Sequence, residues 1–216
     1  MASPYGKAYG SPAPPAAGQA AAQLRHAVRK GYVECEAALM GWEEAHRSSL
    51  AVLSSLANAA GRLAEFMAAR GELGVVSDTP GAETLLLVRL VQSMERLLGA
   101  LRPTVSLLKE ASDSVESVYE RLLREQADAF DACSAEDLWH AAHAAQPSVG
   151  AMLEWLQDLV NALQREVALR EQLLAGVGYE QDEGMGRALE LWDAKVFFCR
   201  EAWGERLQTV KIHCVL

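Results

Sequence analysis

Apolar residues recur along this chain at alternating steps of three and four, and the cleanest run is Leu87, Val91, Met94, Leu98, Leu101, Val105 and Leu108, continuing to Val115, Tyr119 and Leu122. Such spacing returns to one face of a helix and predicts an amphipathic helix packed along a seam. The phase survives Pro103. A proline removes one helical hydrogen bond and crowds the preceding turn, so an unbroken register predicts one kinked, continuous helix over Ala82–Ala132. At 1.5 Å per residue it would be about 75 Å long. The earlier stretch Gln19–Arg70 repeats the pattern with Val28, Tyr32, Cys35, Leu39 and Trp42, then Leu53, Leu56, Ala60, Leu63 and Met67. His46 and Ser49 interrupt it as polar positions. One long helix, or two stacked in line with a bend near Gly41, is predicted here, and Gly71–Gly81 is the connector.

Further along, Pro147 and Ser148 start a helix over Ser148–Gly176 whose stripe is Leu153, Leu156, Val160, Leu163, Val167 and Leu174, broken at Arg170. Before it, Ser134 followed by Glu136 and Asp137 predicts a short helix to about Ala145. After it, Met185, Leu189, Trp192, Val196, Cys199 and Trp203 predict a single last helix. Strand-like alternation is absent. The expected fold is all-α: an elongated antiparallel bundle with coiled-coil-like seams, built from four main helices plus a short one. The expected domains are a disordered tail over 1–18, rich in Pro, Gly, Ser and Ala, a bundle over 19–210 and a frayed end over 211–216. A cleaved transit peptide is the alternative for the leader, because no acid precedes Glu34 whereas Lys7, Arg25, Arg29 and Lys30 do.

Composition narrows the function classes. Half of the 216 residues are apolar, which is enough for a core without disulfides or metals. A net charge of −9, from 29 acids against 20 bases, removes the basic field that a direct grip on nucleic acid requires. The four cysteines, Cys35, Cys133, Cys199 and Cys214, form no close pair, and a reducing intracellular compartment is expected. No stretch approaches the roughly 20 apolar residues of a membrane span. Cys214 is misplaced for prenylation.

The string Met152-Leu153-Glu154-Trp155-Leu156-Gln157-Asp158, preceded by Pro147-Ser148-Val149, resembles the AIRIM family of ribosome-maturation factors. Trp42, the run Leu53 to Asn58, Ser114 to Tyr119 and Trp192-Asp193 are similar to that family in the same order, so the likeness spans about Leu24 to Asp193. The tail Lys195–Leu216 has no counterpart in it. The resemblance implies an adaptor that partners a hexameric AAA ATPase of the Spata type and a small helical subunit of the CINP type. The implied task is release of a shuttling assembly factor, the client, from the cytoplasmic precursor of the large ribosomal subunit, with a second involvement in genome maintenance. Cytoplasm and nucleus are the implied locations. Heptads alone equally permit a structural coiled-coil subunit of a spindle or tethering complex.

Catalytic and metal chemistry finds little footing. Gly71-Glu72-Leu73-Gly74 and Gly184-Met185-Gly186 lack the Lys and the strand of a phosphate loop, so no cofactor is expected. The neighbouring acids Glu43-Glu44 and Asp182-Glu183 do not face one another as a general acid and base would. Glu136, His140 and His143 share one helix face but lack a ligand set, with Cys133 as the only local thiol. His213-Cys214 is a terminal pair. Ser117 and Ser134 fit an acidophilic kinase pattern, although Ser134 is better explained as a helix cap. Trp42, Trp192 and Trp203 belong to their seams and are expected in helix contacts, whereas Trp155 sits beside its seam and is free to meet a neighbouring helix or a partner. The long helix outruns its neighbours, which leaves Leu87, Val91, Met94 and Leu98 as the candidate partner interface together with Trp155, unless Gln19–Arg70 covers them.

Overall fold

A computed structural model describes residues 17–132, 147–176 and 182–212. All regular structure among them is helical: α1 (Ala17–Ala68), α2 (Val75–Asp78), α3 (Ala82–Ala132), α4 (Val149–Gly176), α5 (Asp182–Ala194) and α6 (Arg200–Ile212). Residues 1–16 of the tail predicted over 1–18, the predicted short helix at Ser134 with Cys133, Glu136, His140 and His143, and the pair His213-Cys214 lie outside the described residues, whereas Ala17 and Gly18, expected in the tail, open α1.

The backbone of the molecule is a long antiparallel pair. α1 is a single helix of 52 residues and α3 one of 51, with Pro103 inside it. Gly41 lies within the continuous α1. The pairing register is legible in contacts along its whole length. Near the base, a Cβ added to Gly31 would stand 2.8 Å from Leu122 Cδ1, so the two helices approach closely there. In the middle Leu53 shares a cluster with Leu101 and Val105, and at the tip Arg70 lies 3.8 Å from Glu83. Gly71, Gly74 and Gly81 take positive φ in the connector between them, conformations that a residue with a Cβ adopts only under strain.

α4 starts at Ser148, whose hydroxyl accepts the Ala151 amide at 3.1 Å as an N-cap. It lays Leu153, Leu156, Val160, Leu163 and Val167 into the groove between the lower halves of α1 and α3, where they join Val28, Leu39, Leu108 and Leu122 in the main core. The expected single last helix is two. Lys195 takes φ 46, the helical phase stops, and α6 begins five residues later. Val196 is consequently exposed, while Phe198 enters the main core. α6 adds Trp203, Leu207 and Val210 to that core, Trp203 stacking on Tyr32 at 5.6 Å between ring centroids. Lys211, expected in a frayed end, is helical and pairs with Glu36 at 2.6 Å.

Candidate protein-interaction surface

Apolar side chains collect in three clusters along the α1–α3 pair, and the number of helices falls from base to tip. The base cluster draws on α1, α3, α4 and α6. The middle cluster holds Leu53, Leu101, Val105 and Trp192, with Leu173 and Leu174 from the end of α4 against it. Among the described residues the tip cluster is built by α1 and α3: Leu56, Ala59, Ala60 and Leu63 around Met94. Among the described residues the seam beyond Leu53 and Leu101 is therefore that of a two-helix arm, with α5 against its α1 side. From Ala82 to Leu101 this arm is about 29 Å long at 1.5 Å per residue.

Two helices cannot bury both flanks of their seam. Met94 is wholly covered, but Leu87, Val91 and Leu98 are half-buried, and Leu85, Leu86 and Val88 are exposed on α3. α1 thus takes the central line of the stripe proposed from sequence, and its edges stay open. Trp155 is elsewhere. It is half-buried against the base cluster, with the Arg206 guanidinium 5.6 Å above its ring, and Arg206 in turn pairs with Asp158 at 3.2 Å. Its neighbour Met152 accepts the Tyr32 hydroxyl at 2.8 Å. From Tyr32 to Leu56 along α1 is about 36 Å, so Trp155 and the Leu87–Leu98 stripe do not form one surface.

A buried polar node fixes the base of the arm, and sequence reasoning passed over it. Arg170, the break in the α4 stripe, is completely buried between the rings of Trp42 and Trp192, its Cζ at 5.1 and 5.5 Å from their centroids. It donates to the Glu166 carboxylate, to the Glu166 carbonyl at 2.9 Å and to the Trp192 carbonyl at 3.3 Å. Glu166, equally buried, also accepts the Phe198 amide at 3.0 Å and the Phe197 amide. On α1, Trp192 Nε1 donates to Ser49 Oγ at 2.8 Å, and His46 Nδ1 lies 3.3 Å from the Arg170 guanidinium. Burial, and after it the Arg170 charge, hold the His46 imidazole down at about 4 from the usual 6.5. Two charges removed from water are tolerated because each is bonded and the guanidinium is sandwiched between aromatic faces. The signal was present in the sequence: His46, Ser49 and Arg170 are polar residues at seam positions of two helices that pack together.

Elsewhere the chemistry is quiet. Burial drives the Cys35 thiol up to about 12, away from reactivity, and Cys199 is exposed. No cluster of three metal-ligating side chains occurs among the described residues, and no described helix is long and apolar enough to cross a membrane.

Among curated proteins none matches the chain. Residues 22–197 match the family model described as CA109-like, ribosome biogenesis protein C1orf109-like. The matched segment starts in α1 and ends between α5 and α6, so it takes in the long pair, the arm, α4 and the polar node, and leaves α6 outside. With most of its length inside that match, the chain belongs to the ribosome biogenesis protein C1orf109-like family, the AIRIM family that its Trp155 string resembles.

Proposed function

We propose that the protein is a non-catalytic adaptor in ribosome biogenesis, joining a hexameric AAA ATPase of the Spata type to clients on the cytoplasmic precursor of the large ribosomal subunit. Membership of a ribosome-biogenesis family supports the process. The observation that carries the adaptor role is the two-helix arm, whose half-buried Leu87, Val91 and Leu98 and exposed Leu85, Leu86 and Val88 are an unfinished bundle. Adding a helix to an open pair buries more apolar surface and leaves the existing seam in place. A small helical subunit of the CINP type is the partner this reading assigns to the arm, with release of a shuttling assembly factor as the outcome of the ATPase cycle and genome maintenance as a second setting. Trp155, under Arg206, is the second contact candidate.

Affinity purification of the tagged full chain from its native cell tests the proposal. An AAA ATPase together with precursor large-subunit material is expected, and Leu86→Ser with Val88→Ser should deplete both while leaving the protein folded. Recovery of cytoskeletal or vesicle-tethering subunits in their place would move the chain to a structural coiled-coil role.

A further inference from the structure

The connector at the tip of the α1–α3 pair carries the string Ser77-Asp78-Thr79-Pro80-Gly81. Among the described residues Thr79 is the one hydroxyl residue followed by proline, and it is exposed. Its backbone, at φ −95 and ψ 115, is extended, as the ring of a following proline favours. Thr79 caps α2, giving its amide to the Val76 carbonyl at 3.3 Å and its hydroxyl to the Val75 carbonyl at 2.7 Å. α2 is four residues long and buries none of them, and Gly74 and Gly81 bracket the stretch at positive φ. Opening it therefore costs a few exposed hydrogen bonds and no core. Ser117 is different: it is exposed too, but Val115 and Val118 beside it belong to the main core, so drawing it out would unwind the base of α3. One carboxylate closes the connector. Glu83 Oε1 accepts the Gly71 amide at 3.0 Å and the Ser77 hydroxyl at 2.6 Å, Ser77 Oγ accepts the Leu73 amide at 2.9 Å, and the half-exposed Arg70 stands 3.8 Å from Glu83 Oε2.

We infer that Thr79 is a phosphate acceptor for a proline-directed protein kinase, and that the phosphate opens the connector. Such a kinase takes its substrate extended and makes no use of an amide on the residue after the acceptor, which proline lacks. Thr79 Oγ1 attacks the γ-phosphorus of ATP; the new oxygen–phosphorus bond forms as the one to the bridging oxygen of ADP breaks, and the hydroxyl proton passes to the kinase's base. The product has lost the donor that held the Val75 carbonyl. It sets a charge of about −1.5 to −2 at the C-terminal end of α2 and next to Asp78, where like charge and the helix dipole both oppose it. Relief lies in one direction. Between Arg62 and Arg89 the sequence holds a single base, Arg70, and a dianion competes better for it than the Glu83 carboxylate does. The start of α3 at Ala82, three residues on, favours an anion as well. Glu83 then loses its cation, Ser77 parts from it, and the tie across the tip of the pair is undone. This switch lies beyond the adaptor role and is independent of it.

The full-length protein and a synthetic peptide of residues 72–86 are each incubated with one purified proline-directed kinase, magnesium and ATP, and the phosphate is placed by peptide mapping. Thr79 should be modified in the folded protein at a rate within about tenfold of the peptide's, because the connector opens readily. A slower rate means that the fold shields Thr79 and overturns the inference. Ser3 and Ser11 also precede proline, so the mapped position and not the total mass decides. Hydrogen exchange of the modified protein then reads the connector. The amides of Gly71, Leu73 and Ser77 should exchange at least about fivefold faster, with those around Leu122 and Leu156 unchanged. Thr79→Ala, which removes the hydroxyl bond and adds no charge, should give a smaller change than the phosphate. Arg70→Gln, with the guanidinium already gone, should exchange fast before modification and gain little from it. Unchanged or slower exchange after modification, an equal effect of Thr79→Ala, or a full further gain in Arg70→Gln overturns the opening of the connector by the phosphate.

Discussion

At the scale of single residues the decisive group is Arg170. A guanidinium bonded to a buried carboxylate between two tryptophans contributes to stability mainly through what its removal leaves behind. Arg170→Met should cost about 3–5 kcal/mol in urea denaturation, because the Glu166 carboxylate then stays buried without its cation. Glu166→Gln combined with Arg170→Met removes both charges and should be milder than Arg170→Met alone; a double variant as damaged as the single one would show that the charge pairing is not what Arg170 supplies. His46, beside the same guanidinium, makes the node sensitive to acid. Its folded value of about 4 lies below the unfolded 6.5, so the fold holds the neutral ring. That contribution is complete above pH 6.5 and is lost as pH falls towards 4, at up to about 1.4 kcal/mol per pH unit. Arg170 and Lys195 oppose the protonated ring, while Asp193 and Glu166 favour it less strongly. His46→Asn removes the titration, so the denaturation midpoints of wild type and variant should converge as pH drops through this window. Parallel curves would place the His46 ring in water.

At the scale of elements, the sequence was most transparent where one helix face meets one partner along many turns. Ala82–Ala132, read from its seam through Pro103, is α3 to the residue, and Ser148–Gly176 is α4 with Ser148 as its cap. Periodicity failed where a chain reversal hides inside a register. Leu189, Trp192, Val196, Cys199 and Trp203 keep helical spacing, yet Lys195 at φ 46 ends α5 there, because carrying Phe198 into the core and its amide to Glu166 requires a break. The polar node escaped for a related reason: Arg170 looked like a gap in a stripe, and only the facing Trp42, His46 and Trp192 make a buried arginine tolerable. For the candidate interface, spacing located the Leu87–Leu98 line but did not distinguish the part α1 covers from the edges it leaves open. Glycines separate close approach from mere helix cost. Gly41 and Gly61 have nothing within 4 Å of an added Cβ, whereas at Gly31 Leu122 and Val118 stand at 2.8 and 3.1 Å. Gly41→Ala and Gly61→Ala should each stabilise by about 0.5–1 kcal/mol in thermal or urea melts. Gly31→Ala should forfeit that gain or reverse it, and an equal gain at all three positions would mean that α1 and α3 do not approach closely at Gly31.

At the scale of the whole molecule, α1 and α3 pass through all three clusters, but among the described residues the helices that share a cluster fall from four at the base to two at the tip. Stability should therefore be graded along one pair of continuous helices. Local opening follows the burial each segment shares with others, and a two-helix arm with exposed Leu85, Leu86 and Val88 shares the least. Hydrogen exchange followed by mass spectrometry should show amides of 54–68 and 84–100 exchanging faster than those around Leu39, Leu122 and Leu156, with the change falling near the polar node. The gradient bears on function, because a segment that is marginal alone gains most from a partner that completes its bundle. Adding the helical partner should then protect the arm selectively, and the base should change little since its seams are already filled. Uniform protection from base to tip in the isolated protein would show that two helices suffice at the tip. Protection that rises at Trp155 and not at the arm would move the docking site to the α4–α6 face, where Arg206 would have to leave the ring for a partner to reach it.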